Sequence, residues 1–168
     1  MKASSKTDGV HSRIIWTCSW SSDDRYFATG ARDKKVALWS VAANDNEEKS
    51  THVQIALQSK RSESVTAIAF CPCLLNQSYV LAIGLENGQI ELVAWNPSIG
   101  TATDLSLLAS LDGCRAHSQT IARLRFRPKP GKWMSVCESE KSTNENIYEL
   151  ASVANDNAVK VHRIHLLN

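Results

Sequence analysis

Short apolar runs separated by clusters of turn-forming residues dominate this sequence. Val53, Ile55 and Leu57 alternate with polar residues, and a period of two is typical of a β-strand with one buried face. No stretch carries the sustained apolar stripe of an amphipathic helix. The pattern predicts strands over residues 14–20, 26–31, 36–41, 52–58, 65–70, 79–84, 89–95, 104–111, 121–126, 150–154 and 159–164.

Three units with the same internal spacing divide the chain. Each opens with a histidine or arginine nine residues before an aromatic residue, and the pairs are His11 and Trp20, Arg61 and Phe70, and His117 and Phe126. The units begin 50 and 56 residues apart, slightly more than the ~40–45 residues of a four-stranded propeller repeat. We therefore predict an all-β fold of three propeller blades, at residues 11–60, 61–116 and 117–168, after a polar N-terminal segment at 1–10.

The third unit contains a polar insertion, and three units are too few to close a ring. Residues 129–146 are rich in Lys, Ser, Asn and Glu, which predicts a long loop between the first two strands of that blade. The last predicted strand is the third of its blade, so the outermost strand is missing. We expect an incomplete ring whose open apolar faces and strand edges promote self-association.

Composition indicates an ordinary soluble globular protein. The 168 residues are 43% apolar and 21% charged, and the net charge of +2 gives no strong attraction to nucleic acid or membrane. No apolar run approaches the ~20 residues that a membrane span needs. Five cysteines without a small disulfide framework indicate reduced thiols, and therefore a protein of the cytoplasm or nucleus.

Metal and catalytic chemistry have little support in the sequence. Cys71 and Cys73, and Cys114 with His117, have the spacing of metal ligands, but they lie in different predicted blades. A zinc site needs four converging ligands, so buried free thiols and a structural histidine explain these residues better. We predict no catalytic residue, no metal, no cofactor and no small-molecule substrate.

The first unit resembles a WD repeat. His11, Asp33 and Trp39 stand where that family places a histidine, a turn aspartate and a strand tryptophan, which form a tetrad with a hydroxyl residue. Such a chain of donors and acceptors satisfies buried polar groups. Gly30 occupies the usual position of the hydroxyl residue, and Thr29 lies one residue before it.

The other two units depart further from the WD pattern. The second unit replaces the histidine, the aspartate and the tryptophan, and its residues there are Arg61, Asn87 and Val93. The third unit keeps His117 and Asp156 but has His162 in the place of the tryptophan. The resemblance implies a structural tetrad role for His11, Thr29, Asp33, Trp39, His117 and Asp156.

Four longer stretches of the sequence resemble one particular family of WD-repeat proteins. Residues 11–20, 26–36, 79–88 and 154–163 are similar to the C-terminal part of the Elongator complex subunit 2 family, and the likeness runs from about residue 11 to the end, apart from 129–146. That family has two seven-bladed propellers, so the resemblance implies that these blades are the C-terminal part of a seven-bladed ring. It also implies a non-catalytic scaffold that binds the largest and the catalytic subunits of Elongator.

The resemblance further implies a role in tRNA processing. The Elongator assembly modifies wobble uridines of tRNA and has been linked to histone acetylation and transcription elongation, in the cytoplasm and nucleus. Two alternatives stay open at this point. One is a generic WD-repeat adaptor in signalling or ubiquitin ligation, and the other is an RNA-binding propeller with a weak tRNA contact.

Two sets of side chains are candidate contacts for a binding partner. One set lies in loops or near the first strand, at a propeller rim, and comprises Arg13, Trp16, Arg32, Lys34 and Lys35. Ordinary turn charges, or blade packing by Trp16, would explain these residues equally well. The other set is a basic strip of Arg123, Arg125, Arg127, Lys129 and Lys132. It suits RNA phosphate or an acidic partner, but a solvated strand face or arginines packed between blades are its simpler explanations.

Overall fold

A computed structural model describes residues 9–43, 51–98, 104–129 and 146–166 of the chain. These ranges contain eleven strands and a short 3-10 helix at Gly113–Arg115. The strands are β1 Ile15–Trp20, β2 Tyr26–Ala31, β3 Lys35–Ala43, β4 Thr51–Lys60, β5 Val65–Leu75, β6 Ser78–Leu85, β7 Ile90–Trp95, β8 Ser106–Leu111, β9 Ile121–Phe126, β10 Asn146–Ala154 and β11 Val159–Leu166.

The strands form three antiparallel sheets, which we call blades 1, 2 and 3. Their strand orders are β1-β2-β3-β4, β5-β6-β7-β8 and β9-β10-β11. The first strands of the blades, β1, β5 and β9, pack side by side, so the sheets follow one another around the axis of an incomplete ring. This arrangement confirms the predicted all-β propeller fold with three blades.

Two strands extend furthest beyond their predicted ends, and the other extensions are of one or two residues at an end. Strand β5 continues past Phe70 to Leu75, because Leu74 and Leu75 pair again with Tyr79 and Ser78. Strand β10 begins at Asn146, inside the expected insertion, because its ladder with β11 extends that far. Most of the insertion, residues 130–145, lies outside the described residues, as do 1–8, 44–50, 99–103 and 167–168.

Apolar layers between the blades form the core. Blades 1 and 2 enclose buried side chains from both sheets, among them Val36, Leu38, Val65, Ile83 and Leu85. Blades 2 and 3 do the same around Ala67, Ala82, Ile121, Leu124 and Leu150. Removing such side chains from water contributes about 25 cal/mol per Å², so inter-blade packing holds the blades together.

The outer faces of blades 1 and 3 have no blade against them. On blade 1, Trp20 stays 54% exposed although its ring contacts Phe27, which stacks on Trp39. On blade 3, Val159 and Val161 are 71% and 63% exposed. Apolar side chains at this exposure mark surfaces suited to cover by another protein surface.

Candidate protein-interaction surface

A hydrogen-bonded tetrad ties together the loop before β1, the strands β2 and β3, and the turn between them. The Trp39 indole nitrogen lies 2.8 Å from the Thr29 hydroxyl oxygen, which lies 2.9 Å from His11 Nε2. His11 Nδ1 is 3.2 Å from both carboxylate oxygens of Asp33. In the tautomer that satisfies every group, Trp39 donates to Thr29, Thr29 donates to His11, and His11 donates to Asp33.

Thr29, rather than residue 30, supplies the hydroxyl because successive side chains of a strand point to opposite faces. Gly30 faces blade 2, where an added Cβ would lie only 2.4 Å from the Val65 side chain. Thr29 faces the other way, toward the Trp39 ring. The one-residue offset in the sequence therefore reflects a glycine that close blade packing requires.

Asp33 also organises the turn that carries it. Its carboxylate accepts hydrogen bonds from the amides of Ser12, at 2.8 Å, and Lys35, at 3.1 Å. Burial raises the pKa of the Asp33 carboxyl, but the hydrogen bonds from Ser12, His11 and Lys35 outweigh burial and hold that pKa below its ordinary value. Asp33 therefore stays ionised and fixes the loop before β1 against the turn.

Replacing Thr29 by valine should lower the free energy of unfolding by about 1–3 kcal/mol, because the indole N–H and the imidazole nitrogen lose a buried partner. Thr29→Ser, which keeps the hydroxyl, is the matched control and should retain most of the stability. Urea unfolding at one fixed protein concentration measures both variants. Equal stability of the two variants would show that the tetrad does not stabilise blade 1.

Blade 3 contains an equivalent network with histidine in the place of tryptophan. His117 Nε2 lies 2.8 Å from the Ser152 hydroxyl oxygen, which is also 2.8 Å from His162 Nε2. His117 Nδ1 lies 3.0 Å from both oxygens of Asp156. His162 thus contacts the hydroxyl as the indole of Trp39 does in blade 1.

Sequence reasoning missed Ser152. A usable signal was present, because Ser152 precedes Asp156 by the same four residues that separate Thr29 from Asp33. The hydroxyl is buried, and the structure shows that it joins the two histidines.

The stability of blade 3 should depend on pH through His162. Burial lowers the pKa of His162 below its ordinary 6.5, and the charges of His117 and Lys160 lower it further. The unfolded chain then binds a proton that the folded chain binds only at lower pH, so the free energy of unfolding should fall as pH drops below about 6.5.

The matched variant is His162→Trp, which cannot titrate and restores the residue type at this position in blade 1. Its indole N–H can donate to Ser152, so the pH dependence should become shallower while folding is kept. Urea unfolding between pH 7.5 and 5 compares the two chains. Identical slopes would show that His162 does not control this dependence.

Blade 2 replaces the tetrad with a cluster of ions. Arg61 contacts Glu91 at 3.3 Å and Asp104 at 2.9 Å, and it also donates to the Ser59 hydroxyl. The Arg61 side chain is only 9% exposed, so both carboxylates compensate for its desolvation. An ion cluster without histidine or tryptophan thus takes the place of the tetrad in blade 2.

Loops from all three blades form one continuous edge, which we call the tetrad rim and define as residues 11–14, 32–34, 61–64, 86–88, 117–120 and 155–157. Hydrogen bonds cross from blade to blade along it. The Lys34 ammonium donates to the Ser62 carbonyl at 2.8 Å, and the Thr120 hydroxyl donates to the Glu86 carbonyl at 2.8 Å. These bonds make the tetrad rim a rigid platform instead of a set of independent loops.

The basic residues that are candidate partner contacts at the rim differ in whether their charges are already paired within the chain. Lys34 also pairs with Glu63 of blade 2 at 3.1 Å, so its charge is used within the chain. Arg13 and Arg32 are exposed, and neither side chain has a hydrogen bond or ion pair within the described residues. Lys35 is half-buried at the start of β3. Arg13 and Arg32 are therefore the two charges most available to a partner.

Trp16 lies away from the tetrad rim. It is part of β1, an innermost strand, and it lines a cavity of about 200 Å³ between the three inner strands. Cys18, Arg123 and Arg125 line the same cavity. Trp16 therefore lies in the strand that the sequence predicts, and its contact with a partner stays a prediction.

The residues of the basic strip have different environments in the structure. Arg123 and Arg125 are exposed on the open face of blade 3, whereas Arg127 pairs with Glu149 at 2.9 Å. Lys129 is exposed after β9, and Lys132 lies outside the described residues. Because side chains of β9 alternate between its two faces, Leu124 is buried against blade 2, while Arg123 and Arg125 lie on the other face and also line the cavity between the inner strands.

Within the described ranges, no three His, Cys, Asp or Glu side chains converge as a metal site would require. In the same ranges, no helix is long and apolar enough to span a membrane. The cysteines described there, Cys18, Cys71, Cys73 and Cys114, are free thiols. The features that stand out are thus a rigid rim and open blade faces, which are surfaces for binding.

Comparison with known proteins agrees with this picture. The family described as "WD domain, G-beta repeat" matches residues 4–40. Elongator complex protein 2 of Danio rerio is 39% identical over 171 residues, which cover 96% of this chain and 20% of that relative. Nearly the whole chain is thus similar to a part of Elongator complex protein 2. The Homo sapiens relative is 34% identical, and the match covers 95% of this chain and 19% of the relative. The Arabidopsis thaliana relative is 37% identical, and the match covers 90% of this chain and 17% of the relative.

The chain spans about a fifth of the length of the Elongator complex protein 2 relatives it matches. The location of that fifth at the C-terminal end of the family stays a prediction. Solved structures support the fold alone. Chaetomium thermophilum Sqt1, bound to the N-terminus of ribosomal protein L10, has a TM-score of 0.64 at 16% identity over 93% of this chain and 34% of its own. The WD40 propeller of Doa1 has a TM-score of 0.55 at 16% identity, and the match covers 90% of this chain and 38% of the Doa1 chain.

Proposed function

We propose that this chain is part of a non-catalytic WD-repeat scaffold of the Elongator complex, and that it supports modification of tRNA wobble uridines. The similarity to Elongator complex protein 2 over 96% of the chain carries the proposal. The chain would act in the cytoplasm and nucleus, where the same assembly would also serve histone acetylation and transcription elongation. Its direct partners would be the largest and the catalytic subunits of that complex.

The structure fits a scaffold that binds other proteins better than it fits an enzyme. His11, Asp33, His117 and Asp156 are each engaged in a network that ties the loops and strands of a blade together. Such networks hold loops in one conformation, which reduces the entropy lost when a partner binds. The rigid tetrad rim would therefore present its exposed side chains without rearrangement.

Arg13 and Arg32 are the proposed anchors on that rim. Both are exposed, and both lie beside the Asp33 turn that the tetrad immobilises. Arginine is enriched among residues that dominate binding energy, because its planar guanidinium forms paired hydrogen bonds with carboxylates. We expect an acidic segment of an Elongator subunit to bind there.

Affinity purification tests this assignment. The tagged chain, with upstream blades restored so that the ring is complete, should recover the largest and the catalytic Elongator subunits from cell extract. Arg32→Glu should lower that recovery about tenfold, since reversing a buried interface charge typically costs more than 1 kcal/mol. Arg25→Glu is the matched control, because Arg25 is equally exposed at the opposite end of β2.

The outcomes separate the remaining functions. Recovery of unrelated partners with no Elongator subunit would favour a generic WD-repeat adaptor and refute the proposal. Equal losses for Arg32→Glu and Arg25→Glu would refute the tetrad rim as the contact. Undiminished recovery of the Elongator subunits with both variants would also refute the tetrad rim as the contact.

An RNA contact is the second candidate function, because Arg123 and Arg125 are exposed side by side with no carboxylate partner among the described residues. If they bind tRNA phosphates, affinity should fall steeply with salt, and Arg125→Glu should reduce the salt slope by about one. A salt-independent affinity would refute this candidate.

A further inference from the structure

Two thiols face each other in β5 of blade 2, away from the tetrads and from the tetrad rim. The Sγ atoms of Cys71 and Cys73 are 3.7 Å apart. Cys71 is only 3% exposed, whereas Cys73 is half-buried and is the more exposed of the two. None of the binding surfaces described above uses this pair.

A wide bulge in the ladder brings the thiols together. Phe70 pairs with Leu81 and Leu74 pairs with Tyr79, so three residues of β5 stand opposite one residue of β6. In a regular strand, residues two apart are separated by roughly 6.6 Å, which is too far for their sulfur atoms to meet easily. Pro72 occupies the middle of the bulge, where its missing N–H costs no ladder hydrogen bond.

The surroundings give the two cysteines different roles. Burial raises the pKa of the Cys71 thiol to about 12, and the amide of Cys73 donates a hydrogen bond to the Cys71 sulfur. Tyr148 of blade 3, itself only 4% exposed, is hydrogen-bonded to the Cys73 side chain. Cys73 is therefore the thiol that a reagent meets first, and Cys71 is held close behind it.

We propose that Cys71 and Cys73 form an oxidation site, which closes to an intrastrand disulfide when a hydroperoxide reaches Cys73. With hydrogen peroxide, the Cys73 sulfur attacks one peroxide oxygen, the O–O bond breaks, and the departing hydroxide takes the Cys73 proton, so that a sulfenic acid and one water form. The Cys71 sulfur then attacks Cys73 Sγ, the S–O bond breaks, and the departing hydroxide takes the Cys71 proton as a second water. Two thiols lose two electrons and the peroxide gains them.

The geometry permits this closure with local movement. A disulfide bond is about 2.05 Å long, so the sulfur atoms must approach by about 1.7 Å from their 3.7 Å separation. Rotation about the side-chain bonds of two residues in a bulge can supply that shift without breaking the ladders on either side. The product would join two residues next to the contact between Tyr148 and blade 2.

The test uses the chain with Cys18, Cys114 and Cys137 replaced by serine, so that only the pair remains. Hydrogen peroxide is added, the reaction is stopped by acid, and intact mass and thiol titration are recorded after denaturation. The expected result is loss of both thiols and of two hydrogen atoms from the monomer, reversed by dithiothreitol. Cys71→Ser in this background should stop at a sulfenic acid that dimedone traps on residue 73.

Cys73→Ser is the matched counterpart, and its buried Cys71 thiol should remain unmodified under the same conditions. Addition of two or three oxygen atoms to Cys73 while Cys71 stays reduced would overturn the proposal. So would disulfide formation only between molecules, or no reaction under conditions that oxidise glutathione. Urea unfolding of each variant before oxidation shows whether the comparison is made between folded chains.

Discussion

Gly84→Val should lower the free energy of unfolding by about 3 kcal/mol. Gly84 lies in β6 of blade 2, and a Cβ there would sit 2.6 Å from Ile121 Cγ2 and 2.8 Å from Ile121 Cβ in blade 3. The Ile121 Cβ cannot rotate away because it is bonded to the backbone of β9. The blades would have to separate, and overpacking of this kind typically costs 1–3 kcal/mol or more.

The matched control is Ala109→Val, which adds the same kind of side chain to an exposed position of β8 in the same blade. It should change stability by less than about 0.5 kcal/mol. Both variants are measured by urea unfolding at one protein concentration, since association of open blade faces would couple stability to concentration. Equal stability of the two variants would contradict the close contact between blades 2 and 3.

His117→Ala should cost about 2–4 kcal/mol, through lost packing and through loss of the buried hydrogen bonds that His117 makes with the Ser152 hydroxyl and the Asp156 carboxylate. The imidazole is 3% exposed and joins blade 3's first loop to β10. Ser118→Ala is the control, because the exposed Ser118 contributes its backbone amide to Asp156 and that amide remains. A loss below about 1 kcal/mol in calorimetry or urea unfolding of His117→Ala would contradict the network's role.

Strand positions were largely predictable from the sequence, because alternation and turn residues are local signals. Strands 26–31 and 121–126 match the structure at both ends. The extension of β5 was missed because Cys71 and Pro72 interrupt the alternation, and only pairing with β6 shows that the strand resumes at Leu74. Pairing between distant residues is a tertiary effect that a local pattern does not contain.

The candidate site was predictable in part, for the same reason. The WD resemblance named His11, Asp33 and Trp39, and the structure brings these three together with Thr29. The sequence also named Thr29 as the hydroxyl residue, but the reason for a glycine at residue 30 needed the position of Val65 in the next blade. The internal pairing of Lys34 with Glu63 was likewise invisible, since it joins loops of different blades.

The ion cluster around Arg61 shows a further limit of pattern reasoning. Sequence comparison of the units shows only that Arg61, Asn87 and Val93 replace the histidine, the aspartate and the tryptophan. In the structure, Arg61 reaches Glu91 and Asp104, and the latter is 43 residues away along the chain. A different chemistry therefore closes the same blade architecture, and only the coordinates identify its members.

Wobble-uridine modification of tRNA in cells that lack this chain is the most direct test of its proposed role. Mass spectrometry of purified tRNA would compare such cells with cells that carry the native chain or the Arg32→Glu variant. We predict that modification falls sharply without the chain, returns with the native chain, and returns only in part with the variant. Full modification in cells without the chain would contradict its function as an Elongator scaffold.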